Sequence, residues 1–215
     1  MRVDLHSHTV FSDGELIPAE LVRRAMFLGH DAIAITDHVD MTNLEYVVRN
    51  LVKATELSDD YIKVIPGVEI THVPPSKIAR IATEARKLGA EWIVVHGETV
   101  AEPVAEGTNL AAAENPDIDI LAHPGLITEE EAQAAADNDV IIEITGRMWH
   151  NITNGHVACM ARRVGAKMVI DSDAHAPENL MTEEMAMKVA LGAGLTKEEA
   201  HKAIRVTPYE AIRNL

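Results

Sequence analysis

Nine side chains that can bind metal ions lie in short motifs between residues 6 and 175. They are six histidines and three carboxylates: His6, His8, Asp13, His38, Glu69, His96, His123, Asp173 and His175. Imidazole and carboxylate groups hold zinc, manganese or iron and can leave a position open for water. Nine ligands exceed what one four-coordinate ion needs. The sequence therefore predicts a hydrolytic site with more than one metal ion.

Short apolar or β-branched runs alternate with longer amphipathic stretches, which is typical of βα units and a parallel sheet. The predicted strands are 2–6, 31–36, 64–70, 91–96, 118–122, 139–145 and 167–172. The predicted helices are 18–28, 43–57, 75–88, 108–114, 128–137, 154–164, 182–192 and 197–213. Pro18 and Pro75 are first-turn signals, and Gly89 and Gly165 stop helices just before a strand begins.

Seven such units within 215 residues predict an α/β fold, a seven-stranded (β/α)7 barrel of the TIM type formed by a single domain over residues 1–215. An open, doubly wound sheet is the alternative. The candidate ligands lie at the ends of different strands. They would be spread along one edge of an open sheet, whereas they converge on one mouth of a barrel. Because a site with several ions needs convergence, the barrel is favoured.

The spacing of the candidates indicates which of them can act together. Side chains two residues apart on a strand share a face, so His6 can reach an ion together with His8. The same spacing joins Asp173 to His175. One such residue alone would be an ordinary hydrogen-bonded core histidine or aspartate about as often as a ligand. The repeated pattern at successive strand ends is what indicates a metal site.

Two further positions are read from their neighbours. Asp37 and His38 are adjacent, so only one of them should point inward; His38 is interpreted as the ligand and Asp37 as a supporting carboxylate. Glu69 is an isolated charge between Val68 and Ile70. A buried lone carboxylate is costly unless it is paired or binds a metal, which makes Glu69 a strong candidate.

The motifs DLHSHTVFSDG, TDH, GVE, VHGE, AHPG and SDAH resemble, in this order, those of the PHP family, named for polymerase and histidinol phosphatase. The resemblance runs from the first strand to residue 175. It implies a distorted seven-stranded barrel with a two- or three-metal cluster at its mouth. By position it assigns His6, His8, Glu69 and Asp173 to a first ion, Glu69, His96 and His123 to a second, and Asp13, His38 and His175 to a third. The first motif of the family often ends in histidine where this chain has Asp13.

Arg147 follows the sixth predicted strand in EITGRMWH, at the same end as the candidate ligands. A guanidinium there can bind a phosphate through two parallel hydrogen bonds. The alternative is a salt bridge to Glu143 or to another acidic loop residue. Glu143 itself interrupts an apolar run and is interpreted as a residue that orients a ligand histidine or Arg147.

Together these residues predict a metal-dependent phosphoesterase. Zinc can lower the pKa of bound water from 15.7 to about 7, so a metal-bound hydroxide would attack phosphorus in line with the leaving group. Arg147, Asp173 and His175 are the predicted catalytic residues, with His175 a candidate proton donor. The expected substrate is a small phosphomonoester, either histidinol phosphate, as the family name suggests, or a nucleotide phosphate.

Three other functions stay open. The first is a nuclease that trims short oligonucleotides. The second is a non-catalytic, metal-stabilised module that binds a partner. The third is a metal-dependent amidohydrolase, a class that usually has a lysine at a strand end, where this sequence places none.

Composition adds limits on partners and location. The chain has 34 acidic and 19 basic residues, a net charge of −15, which predicts a small anionic, phosphorylated substrate and no long nucleic acid. Apolar runs of five or six residues fall short of the ~20 that span a bilayer, so no membrane association is expected. One cysteine, Cys159, and no signal-peptide pattern predict a cytoplasmic protein. The oligomeric state is left open.

Overall fold

A parallel sheet curls into a barrel in the computed structural model, which describes residues 2–213 and 215. The strands are β1 (Arg2–Asp4), β2 (His30–Ile35), β3 (His38–Val39), β4 (Lys63–Ile70), β5 (Trp92–His96), β6 (Ile120–Ala122), β7 (Ile141–Thr145) and β8 (Met168–Asp171). Their order is β1-β2-β4-β5-β6-β7-β8. The short β3 pairs with β4 in the register already set by β2, so it continues that strand after a break. The predicted seven-stranded α/β barrel is confirmed.

Side chains complete the seam between β1 and β8. One backbone bridge joins Ser7 to Ala174. Beside it, the Leu5 N–H donates to Asp171 Oδ1 at 2.8 Å, and the Ser172 N–H donates to Asp4 Oδ1 at 3.1 Å. These contacts replace the ladder of backbone hydrogen bonds that joins the other strands. The barrel is therefore nearly closed and distorted at this seam.

The helices cover the outside of the sheet. They are α1 (Pro18–Phe27), α2 (Leu44–Ala54), α3 (Pro75–Leu88), α4 (Thr108–Ala113), α5 (Glu129–Asp137), α6 (Asn154–Val164), α7 (Glu183–Gly192), α8 (Lys197–His201) and α9 (Thr207–Ala211). Pro18 and Pro75 stand in the first turns of α1 and α3. Gly89 and Gly165 end α3 and α6 in the left-handed conformation, with φ of 109° and 72°. These local signals act as predicted, since proline is preorganised for a first turn and glycine adopts positive φ freely.

The structure differs from the prediction in the last helical segment. The stretch expected to be continuous over 197–213 contains a π-helical turn, Lys202–Val206, between α8 and α9. Pro208 lies in the first turn of α9. Its ring has no N–H and would collide with the carbonyl group four residues earlier in a regular α-helix. The wider turn before it removes that collision.

Two apolar layers hold the barrel together. The inner layer fills the barrel with residues that include Leu5, Ala34, Ile65, Trp92 and Val94. The outer layer packs the opposite faces of the strands against the helices. Alternate side chains of a strand point to opposite faces, so each strand supplies both layers. The interior is therefore a packed core, and the open end at the carboxyl termini of the strands is left for polar residues.

The last helix closes the other end of the barrel. Tyr209 and Ile212 pack against the inner apolar layer, and the Tyr209 hydroxyl donates to the Asp31 carboxylate. Within residues 2–213 and 215, no helix is long and apolar enough to cross a membrane.

Candidate metal centre

The strand ends bring all nine candidate ligands to one mouth of the barrel. His38 and Glu69 lie opposite each other in the pairing of β3 with β4, and His96 is the last residue of β5. His6, His8 and Asp13 follow β1, His123 follows β6, and Asp173 and His175 follow β8. Carboxyl ends of parallel strands in a barrel point the same way, which explains the convergence.

Two of these residues depend on unusual backbone geometry. His123 has a φ of 28° and Asp173 has a φ of 48°. Positive φ is uncommon outside glycine, although histidine and aspartate tolerate it better than most residues. Such conformations cost on the order of 1–3 kcal/mol and cluster at functional sites. Here they turn the chain sharply as it leaves β6 and β8, which directs both side chains inward.

Glu69 is the central carboxylate of the site. Its Oε2 lies 3.4 Å from His6 Nε2, 3.5 Å from His8 Nε2 and 2.8 Å from His38 Nδ1. Its Oε1 faces the other way and lies 3.5 Å from His123 Nε2. The two oxygens thus face different groups of histidines, as a carboxylate shared by two ions must.

Asp173 is the second fully enclosed carboxylate. Oδ1 lies 3.2 Å from His8 Nε2 and 3.3 Å from His175 Nδ1, and Oδ2 lies 3.5 Å from His123 Nε2. Asp173 therefore joins the histidines after β1, β6 and β8, and its loss would affect all three strand ends.

Asp13 forms an outer group with two histidines. Its Oδ1 lies 3.4 Å from His38 Nε2 and 3.2 Å from His175 Nε2. His8, at 4.0 Å, completes a set of four potential ligands. The Asp13 carboxylate thus lies where it could share a cation with His8, His38 and His175.

Residues behind the ligands fix their orientation. Glu143 Oε1 lies 2.7 Å from His6 Nδ1, and Oε2 accepts a hydrogen bond from the His123 backbone N–H at 2.9 Å. A carboxylate can only accept, so the neutral His6 ring carries its proton on Nδ1 and turns the Nε2 lone pair toward the site. Thr71 Oγ1 lies 2.6 Å from His38 Nδ1, which leaves His38 Nε2 toward Asp13. Hydrogen bonds of this kind are typical behind metal-binding histidines.

Asp37 has a structural position. Its carboxylate accepts hydrogen bonds from the Thr9 N–H at 2.8 Å, the Thr9 hydroxyl at 2.7 Å and the Ser12 hydroxyl at 2.7 Å. These bonds hold the loop that carries His8 and Asp13. Of the adjacent pair, it is His38 that points into the cluster.

Several buried atoms at the centre of the site fit a cation. Five of these atoms have no hydrogen-bond partner among the described residues: the two carboxylate oxygens of Glu69, Oδ1 of Asp173, Nε2 of His6 and Nε2 of His8. Buried polar atoms are normally hydrogen-bonded, because an unpaired one costs on the order of 1–3 kcal/mol. Lone pairs of carboxylates and imidazoles facing one another are the donor set of a divalent metal ion. The residues present therefore fit the metal cluster.

The protonation of the metal-free cluster is set by mutual contacts. Burial opposes charge on Glu69, but His6 and His38 nevertheless hold the pKa of that carboxyl well below its usual range. Burial also opposes the protonation of His38, yet Glu69 and Asp13 raise its pKa to about 9. Burial and the neighbouring His38 lower the pKa of His8 to about 3. Protons on some histidines thus balance the carboxylates until cations take their place.

A second group of residues lies beside the predicted ligands. Its histidines, His72 and His150, are expected from the sequence to face the mouth, but its carboxylate, Glu102, was missed. Glu102 Oε2 lies 3.2 Å from both His96 Nε2 and His72 Nε2, and Oε1 lies 3.5 Å from His150 Nε2. The ring of His150 stands 4.5 Å from that of His123. The hydrogen bond to His96 lowers the pKa of Glu102 to about 2, and burial lowers that of His150 to about 4. The only signal for Glu102 was its place in the long loop after β5.

Two cavities meet at this mouth. The metal cleft has a volume of about 340 Å³ and is lined by His38, His96, His123, Asp173, His175 and Arg147. The lateral cavity, of about 790 Å³, lies between residues 146–152 and α7. Arg147 lines both cavities, and its guanidinium has no carboxylate within 4.0 Å among the described residues. The alternative salt bridge to Glu143 does not form, because Glu143 is engaged by His6 and His123.

Comparisons with known proteins agree with this geometry. The sequence model of the PHP domain matches residues 4–145. The chain is 53% identical to the uncharacterized protein MJ1295 of Methanocaldococcus jannaschii, with 100% of both chains covered. It is 29% identical to ribonuclease P protein component 3 of Methanosarcina barkeri, over 93% of this chain and 84% of that protein.

Solved structures with the same fold include two distinct kinds of protein. The first is histidinol phosphate phosphatase of Lactococcus lactis in complex with zinc, L-histidinol and phosphate; the TM-score is 0.68 at 17% identity, over 91% of this chain and 94% of that chain. The second is a chain of archaeal ribonuclease P with mature tRNA; the TM-score is 0.65 at 18% identity, over 99% and 94%. At these identities the likeness concerns the fold.

The prediction that long nucleic acid is excluded is wrong. Similarity over most of this chain extends to a protein component of ribonuclease P, and a chain with this fold occurs in that enzyme with tRNA. The prediction relied on the net charge of −15, which sums the whole surface. Contact with RNA depends on the charge of the contacting area, and bound cations reverse the local field around carboxylates.

Proposed function

The chain belongs to the PHP domain family, and from this premise we propose that it is a metal-dependent phosphoesterase that hydrolyses a small phosphomonoester. One observation carries the proposal: the two oxygens of Glu69 face separate groups of histidines, and both are buried without a hydrogen-bond partner among the described residues. A buried carboxylate that faces histidines on both sides is suited to bind divalent cations.

Three ligand sets are proposed for two or three ions of zinc, manganese or iron. The first set is His6, His8, Glu69 and Asp173; the second is Glu69, His96 and His123; the third is Asp13, His38 and His175. The short distances within the first and third sets support this division. In the second set, the rings of His96 and His123 stand 4.5 Å apart.

Divalent ions held there would supply activated water and positive charge for the phosphoryl oxygens. Arg147, free of carboxylate partners among the described residues, would bind the non-bridging oxygens through its planar donors. Asp173 would keep the strand ends after β1, β6 and β8 in one arrangement. If catalysis needs only two ions, His175, which lines the metal cleft, would donate a proton to the leaving oxygen.

A role on RNA is the second candidate. The similarity to ribonuclease P protein component 3 over 84% of that protein favours it. Two forms fit the chain: trimming of an oligonucleotide end at the same metal centre, or a metal-stabilised module that binds RNA without catalysis. The retention of every ligand position favours the catalytic form.

Phosphate release from metal-replete protein tests the proposal. The panel contains histidinol phosphate, mononucleotides and a 5′-phosphorylated oligonucleotide, and metal content is measured on the same samples. We expect at least one phosphomonoester to be hydrolysed, and Asp173→Ala to lose at least about 100-fold in kcat/KM, equivalent to about 2.7 kcal/mol. Asp137→Ala, on the exposed face of α5, is the matched control and should retain full activity.

Two results would reject the first candidate. One is a metal-replete protein that releases phosphate from no member of the panel. The other is an Asp173→Ala variant as active as the wild type. Binding of RNA without hydrolysis in the same samples would establish the non-catalytic form of the second candidate instead.

A further inference from the structure

The lateral cavity beside the metal cleft has the size and position of a substrate pocket. Its volume is about 790 Å³, within the usual range of roughly 300–1,000 Å³ for small-molecule sites. Glu102, Arg147 and His150 line this cavity and the metal cleft alike. A ligand held at Arg147 can therefore extend from one cavity into the other.

The walls of the lateral cavity suit a flat aromatic group. Met148, Trp149 and Ile152 line it although each is exposed by 65% or more, and Met181 and Met185 form the opposite side. Exposed large apolar side chains grouped around a cavity mark a binding surface. Thioethers pack favourably against aromatic rings, and an indole offers the best surface for stacking them.

The backbone holds Trp149 in a costly conformation. Its φ is 74° with ψ of −38°, a region that bulky residues avoid. Asn154 joins the two ends of the loop, since its Nδ2 donates to the Thr145 carbonyl at 2.8 Å and its Oδ1 accepts from the Thr145 N–H at 3.2 Å. Strain maintained in this way is typical of residues that contact ligands.

Polar groups are also present for the edge of a ring. Ser172 lines the cavity, is 1% exposed, and its hydroxyl has no hydrogen-bond partner among the described residues. Glu178, also in the wall, is exposed and can accept a hydrogen bond from an amino group. A stacking surface with a few hydrogen-bonding groups is how proteins hold a nucleobase.

We propose that the lateral cavity binds the nucleobase of a 5′-nucleotide whose phosphate lies in the metal cleft at Arg147, with Trp149 as the stacking residue. This inference rests on the proposed phosphoesterase function and names its substrate class. A nucleotide has a sugar between its phosphate and its ring, which spans two adjoining cavities. Histidinol phosphate carries a smaller ring and leaves most of the lateral cavity unfilled.

Binding of non-hydrolysable analogues tests the inference apart from catalysis. The probes are phosphonates of AMP and of ribose 5-phosphate, in which CH2 replaces the bridging ester oxygen, and affinities are measured by calorimetry on metal-replete protein. Trp149→Ala should weaken binding of the AMP analogue by about 5- to 150-fold, which corresponds to 1–3 kcal/mol of stacking. It should change binding of the ribose analogue by less than about twofold, because that probe has no base.

Two further variants make the test specific. Trp149→Phe keeps a stacking ring and should recover most of the lost affinity. Tyr61→Ala removes another aromatic side chain, 77% exposed and just before β4 at the opposite end of the barrel, and should bind both probes like the wild type. Because Trp149 is 66% exposed, its replacement should leave the thermal unfolding midpoint unchanged.

The outcomes separate this inference from the proposed function. Equal affinity of wild type and Trp149→Ala for the AMP analogue, or equal weakening of both probes, would overturn the nucleobase pocket even if the protein hydrolyses phosphate esters. Base-dependent binding without phosphate release would keep the pocket and reject the enzyme. A 5′-phosphorylated pentanucleotide is compared with the AMP analogue. Tighter binding of the pentanucleotide would show that the cavity holds the terminal nucleotide of an RNA chain. Weaker binding would show that it holds a free mononucleotide.

Discussion

Oε1 of Glu143 lies 2.7 Å from Nδ1 of His6, and both side chains are fully buried. The other carboxylate oxygen of Glu143 accepts a hydrogen bond from the backbone of His123. One side chain of β7 thus fixes the ring of a candidate ligand after β1 and the turn that follows β6. The geometry of the site depends on a residue that need not touch an ion.

Glu143→Gln should weaken metal binding about 10- to 100-fold with the fold retained, as is usual for residues behind metal ligands. The amide has only one acceptor oxygen for two N–H donors, so one of the two contacts becomes repulsive. Competition with a chelator measures the affinity. The exposed Glu91→Gln serves as control. Unchanged affinity in Glu143→Gln would show that His6 is oriented by other contacts.

Glu69→Gln should remove more metal than Asp13→Asn. The Glu69 oxygens face two groups of histidines, whereas Asp13 contacts the outer group alone. Elemental analysis of both variants, purified side by side with the wild type, should find at least two ions lost from Glu69→Gln and one from Asp13→Asn. Equal losses would contradict the bridging position of Glu69.

Metal binding should tighten as the pH rises toward 9. Burial opposes the protonation of His38, but Glu69 and Asp13 raise the pKa of His38 to about 9. Protons therefore compete with the metal ion for His38 below that pH. The pKa of His6 is raised as well, chiefly by Glu143 and Glu69 acting against burial. Calorimetry in buffers of different ionisation enthalpy should detect protons released on binding. An affinity independent of pH between 6 and 9 would contradict this assignment of protons.

Arg147→Ala should raise KM for a phosphomonoester about 10- to 100-fold, since charged hydrogen bonds contribute about 1.5–3 kcal/mol. Arg147→Lys should recover only part of the loss, because an ammonium cannot make two parallel bonds to one phosphate. Steady-state kinetics on the three proteins measures the effect. A KM that does not move in Arg147→Ala would place the phosphate elsewhere in the cleft.

Gly125→Ala should lower the free energy of unfolding by more than about 2 kcal/mol. Gly125 has a φ of 61°, and a Cβ there would lie 2.0 Å from the Glu98 carbonyl oxygen. The Glu98 carbonyl and the turn at Gly125 are both parts of the backbone, so neither can shift without a cost in free energy. Gly192→Ala at the end of α7 meets nothing within 4 Å and should be neutral or up to about 1 kcal/mol stabilising. Urea denaturation of both variants compares the two; equal stabilities would remove the steric argument.

Much of the fold and of the candidate site could be predicted because the relevant signals are local. The alternation of apolar runs with amphipathic stretches locates strands and helices, and first-turn prolines and terminal glycines mark their ends. Parallel strands in a barrel all end at one mouth. A polar residue at a strand end, such as His96 or Glu69, is therefore placed in the site by secondary structure alone.

Interactions between distant segments decided the rest. Glu102 reaches His96 only because the loop after β5 folds back over the mouth, and Trp149 and Met185 of α7 line one cavity although they are far apart in the sequence. The seam closed by Asp4 and Asp171 likewise joins residues from the two ends of the chain. Sequence order carries no distance information for such pairs.

The net charge led to the wrong prediction about nucleic acid for a related reason. It is a property of composition, whereas the affinity for RNA depends on where charges lie and which cations they bind. The sequence by itself thus determined the barrel, its strand ends and the nine candidate metal ligands, because each follows from short-range pattern. Only the tertiary structure decided that Glu69 lies between two groups of histidines, that Glu143 orients His6, and that an apolar cavity opens beside Arg147, because these relationships arise where packing brings distant loops together.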